Sequence, residues 1–216
     1  MWVRLLALKH IHVRGITTTF QRGDWVDVSE QTANLWIAQR DAESLDVDAS
    51  RLREVGAGIV VTRVGGFCAP LDQLRTHVEI KEGAPEVPWP RTLIWDTTCP
   101  LRVELLPTGF GLLATWDVAI PLWDYEKLAC DIGDEEDRAA TEKVVKDLRV
   151  PLYETRQIYV KKCVVGKRLI DAWRQECLEG GDEKLAFLRA LYQVKPLIRA
   201  LPVTWVKPSY DPFKGR

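Results

Sequence analysis

The chain has almost no charge of either sign to spare: 30 Lys and Arg stand against 31 Asp and Glu, a net −1 over 216 residues. A nucleic-acid or anionic-membrane partner calls for a basic excess or a run of Lys and Arg, and neither is present. No stretch is long and apolar enough to span a bilayer, and the opening "MWVRLLALKH" is too short and too interrupted for a signal peptide. Synthesis in a reducing cytoplasm is the expectation. G-x-S-x-G, P-loop and H-E-x-x-H patterns are all missing. Of the three histidines, His10 and His12 are alternating strand neighbours and His77 is remote, so they make no metal set. The five cysteines (Cys68, Cys99, Cys130, Cys163, Cys177) are odd in number and widely spaced, without a C-x-x-C. They are expected as buried, unpaired thiols and not as a zinc site.

What is present describes a globular protein: 46% hydrophobic and 28% charged residues, with no disorder signature and no internal repeat. Nine tryptophans are many for this length. Trp89, Trp95, Trp116, Trp123, Trp173 and Trp205 sit in apolar contexts, which fits a Trp-rich core better than a stacking platform.

The first 48 residues read as a small module. "WVRLLALKHIHV" is a strand, "GITTTF" is rich in β-branched residues, and "WVDV" alternates apolar and polar side chains. Arg22-Gly23-Asp24 between the last two reads as a hairpin turn, not an adhesion motif, because Gly23 accepts the positive φ a tight turn needs. Ser29 is a good N-cap for a helix that places Ala33, Trp36 and Ile37 on one face. So small a unit buries little apolar area, which makes Trp25, Val26, Val28 and Trp36 candidates for a surface shared with a partner. Gly23, Asp24, Val26, Val28, Ala33, Leu35 and Ala42 match a strand, "GD-V-V" hairpin and "A--L---G-A" helix. That pattern resembles a short N-terminal domain of tailed-bacteriophage proteins, including Mu-like prophages. The helix's usual late Gly is replaced by Gln39 or Arg40.

Beyond a polar linker at 49–57, the chain changes character. "GAGIVVTRVGG", "RTLIWDTT" and "WDVAIPLW" are apolar runs of the kind buried in a parallel sheet, and the prolines of "KEGAPEVPWP" exclude regular structure between the first two. A helix is predicted from Asp134 to Leu148, with Ala140, Val144, Val145 and Leu148 on its apolar face. A strand at "YETRQIYVKK" follows. The next helix carries Leu169, Ile170, Trp173 and Cys177 on one stripe and stops at Gly180. A third helix, capped by Asp182, buries Leu185, Leu188, Leu191 and Tyr192, and "IRALPVTWV" is the last strand. Alternating strands and helices make residues 58–206 an α/β domain with a mostly parallel sheet, and 207–216 a C-terminal tail.

The order of "LIDAWRQEC", "GGDEKLAFLRALY" and "IRALPVTW" resembles the closing half of GT-A-type glycosyltransferases, here shortened. In that comparison "TLIWDTTCPL" falls where the family has its D-x-D, whose acids hold a divalent cation against the diphosphate of a nucleotide sugar. Asp96 matches the first acid and Thr98 replaces the second. The resemblance therefore implies a degenerate donor site that turns over sugar nucleotides poorly. The two resemblances together imply a phage structural or virion-associated protein. It would be a capsid, neck, head-tail connector or tail accessory component without catalysis or cofactor. It would pack on other virion proteins or on itself, first in the host cytoplasm and then in the virion. The alternative is a phage-encoded glycosyltransferase using a nucleotide sugar and a divalent cation, with Asp96 and Asp182 as its site residues.

Overall fold

The computed structural model describes residues 2–13, 16–20, 25–44, 52, 54–63, 74–75, 78–99, 101–124 and 126–206. The chain divides into two compact units, Met1–Val47 and Asp48–Arg216.

In the first unit β1 (Trp2–Leu5) is the middle strand of an antiparallel sheet between β4 (Trp25–Asp27) and β5 (Ala42–Ser44). A separate antiparallel pair joins β2 (Lys9–Val13) to β3 (Ile16–Phe20), in register from Lys9↔Phe20 to Val13↔Ile16. This corrects the sequence reading twice. The opening apolar run is two strands, and the strands flanking Arg22-Gly23-Asp24 are not each other's partners, so the module's hairpin is β2–β3. Alternation marks a strand but does not name its neighbour, and the long opening run supplies a partner for each. The triplet itself lies outside the described residues.

Helix α1 (Glu30–Ala38) starts as expected, with Ser29 Oγ accepting the Thr32 N–H at 3.1 Å. Its Ala33 is fully buried against Val3, Leu5 and Ala42, with Phe20, Val28, Trp36 and Ile37 packed around them. The helix closes through Arg40 at φ 59°, with Asp41 N–H donating to Trp36 O at 2.9 Å. A non-glycine residue in this left-handed region carries strain that a glycine would not.

The second unit is built on a six-stranded sheet in the order β11-β9-β10-β8-β6-β7. Its strands are β6 (Ala57–Arg63), β7 (Glu79–Glu82), β8 (Arg91–Asp96), β9 (Val118–Pro121), β10 (Gln157–Lys161) and β11 (Ile198–Leu201). β10 runs antiparallel to both neighbours and every other pairing is parallel, so the sheet is mostly parallel as expected. β7 was not legible in the sequence: "EIKE" is largely exposed at the sheet edge and has no apolar run. The proline-rich segment 83–90 carries the chain from β7 to β8, on the other side of β6, and the Trp89 ring packs against Gly58 of β6. A Cβ at residue 58 would clash with the Trp89 ring atoms, so glycine is what allows the ring to approach the backbone this closely.

One face of the sheet is covered by α4 (Val164–Leu178) and α5 (Glu183–Val194). Their Leu169, Ile170, Trp173, Phe187 and Leu191 meet Ile94, Val118, Ile120, Ile158 and Val160. Near the opposite side of β10, Phe110 of α2 (Leu106–Leu112) stacks edge-on against Tyr159 at 5.5 Å, and Trp205 does so at 6.0 Å. α2 was also missed, because a short "LPTGFGL" with two glycines reads as a loop.

Helix α3 (Glu135–Val145), capped by Asp134, is shorter than predicted, and Ala140 is exposed. Its buried face carries Asp137 and Thr141 besides Val145. Cys177 and Tyr192 are likewise exposed where an inner stripe was expected. The expected linker is also partly structured: Leu52 is buried and β6 begins at Ala57. The tail 207–216 lies outside the described residues. No described helix is long and apolar enough to cross a membrane.

Candidate functional site

β7 and β8 flank β6 on opposite sides, so the carboxyl ends of β6 and β8 form a topological switch point. In open α/β sheets such a point opens a crevice at the strand ends. β6 changes register here: Val61 pairs with Trp95, but Arg63 pairs with Asp96, leaving Thr62 as a bulge. Thr97 fixes the loop after β8, its N–H and hydroxyl both donating to Arg63 O at 3.0 Å. Asp96 N–H donates to Arg156 O at 2.8 Å, extending the β8–β10 register (Gln157↔Trp95) so that Arg156 faces Asp96. Arg63, Asp96 and Arg156 thus stand in a row across adjacent strands, spaced by the ~4.8 Å of strand neighbours.

Asp96 is half-buried. Its Oδ1 accepts both the N–H and the hydroxyl of Thr98, at 2.8 and 2.7 Å, and its Oδ2 has no hydrogen bond among the described residues. Arg156 grips Glu154 with two parallel bonds, Nε to Oε1 at 2.8 Å and Nη2 to Oε2 at 2.7 Å. The Glu154 side chain is 1% exposed and that of Arg156 37%. This bidentate bond holds the guanidinium above its ordinary pKa, with burial opposing and the Glu154 charge assisting. Cys99, three residues after Asp96, is buried, and its thiol is pushed up to about 12. Burial is the chief cause, the Glu154 carboxylate adds to it, and Arg156 works against it.

Asp182 belongs elsewhere. Its carboxylate caps α5 by accepting Lys184 N–H at 2.8 Å and Leu185 N–H at 3.3 Å, and its own N–H donates to Asp137 Oδ2 at 2.7 Å. It shares no hydrogen-bond partner with Asp96 and leaves the candidate site. The acid-rich start of α3 is likewise structural: Asp137 meets Arg189 Nη1 at 2.5 Å inside the unit, and Arg189 Nε meets Glu176 at 2.6 Å. Among the described residues no three His, Cys, Asp or Glu side chains gather into a set able to hold a metal ion.

Of the interaction candidates, Val28 and Trp36 pack into the first unit's own core, and Lys9 Nζ lies 5.4 Å from the centre of the Trp36 ring. Trp25 and Val26 pair with Arg4 and Val3 through β4, and their side chains lie outside the described part. Arg63, Glu154 and Arg156 were missed. "YETRQIYV" does offer a signal, an acid and a base two apart at the mouth of an apolar strand. Nothing local announces the bulge that sets Arg63 beside Asp96.

No protein-family model and no curated protein matches the chain. Among solved structures there is a likeness to a Desulfovibrio desulfuricans G20 protein described as a "putative nucleotide-diphospho-sugar transferase". The TM-score is 0.35 and the identity 12%, over 72% of this chain and 63% of that one. The matched region therefore spans under two thirds of that protein's length.

Proposed function

We propose that the second unit is a glycosyltransferase-type domain that binds the diphosphate of a nucleotide sugar in the crevice at Asp96. The observation that carries this reading is the Arg63–Asp96–Arg156 row at the switch point of a mostly parallel sheet. Guanidinium donors suit phosphate oxygens, and the unengaged Asp96 Oδ2 suits a sugar or ribose hydroxyl. The sequence resemblance places its D-x-D strand end at this same point. In the reaction class concerned, the bond from the anomeric carbon to the phosphate oxygen breaks. The electron pair leaves on the diphosphate while an acceptor hydroxyl oxygen bonds the carbon and gives up its proton to the departing diphosphate or to water. Thr98 in place of a second acid argues against turnover only if the diphosphate charge has no other partner, and two arginines flank the position.

The test is to incubate the full chain with UDP- and GDP-sugars and follow nucleoside diphosphate release. Release that Asp96→Ala reduces at least tenfold, with an unchanged melting transition, is the expected outcome. Equal release by wild type and Asp96→Ala would sink the reading. The virion reading rests on the sequence resemblance of residues 1–48. Its own test is whether the protein stays with purified particles through density-gradient banding.

A further inference from the structure

Resting on the nucleotide-sugar reading, a second question is what neutralises the diphosphate. A divalent cation needs several oxygen ligands that are free to turn toward it. Here Thr98 stands where a second carboxylate would be, and it donates two hydrogen bonds to Asp96 Oδ1. The other carboxylate next to the row, Glu154, is buried and gives an oxygen to each of two Arg156 donors, with Arg156 N–H adding a third bond at 3.3 Å. Glu154 is thus fully engaged by protein donors, Asp96 offers a single oxygen, Oδ2, and no set of three ligands gathers with it among the described residues. The residues present do not fit a divalent cation.

They do fit an anion. A guanidinium has five N–H donors in a rigid fork. Glu154 engages one on Nε and one on Nη2, and among the described residues both Nη1 donors and one on Nη2 have no partner, on a side chain that is 37% exposed. The buried Glu154 fixes the plane of that fork before any ligand arrives. Arg63, exposed and in register with Asp96, brings a second cation to the same row.

We propose that Arg156, held in orientation by Glu154 and assisted by Arg63, takes the place of a divalent cation, so that this site binds a nucleoside diphosphate without metal. Arg156 is the binding residue in this scheme and Glu154 a positioning residue.

The experiment is calorimetric titration of the full-length chain with UDP and GDP, in EDTA and again with manganese. The expected result is the same affinity, within about twofold, in both buffers, at least a tenfold loss in Arg156→Gln, and partial recovery in Arg156→Lys. Glu154→Gln keeps the guanidinium charge but loosens its orientation, and should weaken binding several-fold while leaving it metal-independent. Binding that appears only with manganese would overturn this inference and leave the nucleotide-sugar reading standing. No binding in either buffer would overturn both. The EDTA comparison uses the wild-type protein, so it decides the matter even if Arg156→Gln fails to fold.

Discussion

Arg189 is the residue whose removal should reveal how the helical layer is held. Its side chain is 6% exposed and joins three helices: Nη1 to Asp137 Oδ1 and to Thr141 Oγ1 (2.9 Å) on α3, and Nε to Glu176 Oε2 on α4. Arg189→Met keeps the length and the apolar stem but strands two acids. They are not stranded equally. Glu176 is 12% exposed and keeps the Gln193 amide at 2.6 Å, so water and a remaining donor relieve much of its loss. Asp137 is 6% exposed and keeps one donor, the Asp182 N–H, so most of the penalty falls there. Breaking a buried pair from one side costs about 3–5 kcal/mol, and we expect the variant to fall near 4. Since ~1 kcal/mol moves the midpoint of a chain this size by about 2–4 °C, the melting temperature should drop by roughly 8–16 °C. Urea unfolding followed by circular dichroism measures the free energy directly. Pairing the variant with Asp137→Asn should recover part of the loss, because the uncompensated charge is then gone. A drop below ~1 kcal/mol, or strict additivity of the two substitutions, would refute the argument.

Two further outcomes follow from the second unit. Burial raises the Cys99 thiol from 9.0 to about 12, so above pH 9 the unfolded chain gives up a proton that the folded chain keeps. Stability should therefore fall as pH rises from about 9 toward 12, and Cys99→Ala should flatten that slope. Equal slopes in wild type and variant, measured by denaturant titration, would contradict this. Gly58→Ala should displace Trp89 from the crossing over β6 and cost about 1–3 kcal/mol, with a red shift in tryptophan emission. An unchanged melt and an unchanged spectrum would show that the close approach is not needed.

How much of this was written in the sequence differs by level. The apolar runs at 57–63, 91–96 and 118–121, and helices α4 and α5 with the break at Gly180 and the Asp182 cap between them, show through because burial imposes a period on side chains. Pairing does not show through: the β2–β3 hairpin and the antiparallel course of β10 are decisions between distant segments. Ala140 and Asp137 illustrate the same limit. A pattern search prefers Ala140 for the inner face of α3, yet Asp137 occupies it, because Arg189 of α5 arrives to neutralise it. A buried charge is legible only together with its partner.

The same reasoning separates the acids that looked alike in sequence. Asp182 is committed to the first turn of α5, Asp137 to Arg189, and Glu154 to Arg156, so each has its chemistry satisfied within the fold. Asp96 differs in keeping one oxygen unengaged among the described residues while lying between two arginines. Counted together, Arg63, Asp96, Arg156 and Glu154 carry no net charge, so the proposed site exerts little long-range pull on an anion. What it offers is a set of donors fixed in direction before the ligand comes, with the Glu154 bond absorbing the entropy that a free arginine would lose on binding. Under the proposed scheme, recognition at this site would be a matter of hydrogen-bond geometry over a few ångströms, which tells a diphosphate from a simple anion of equal charge.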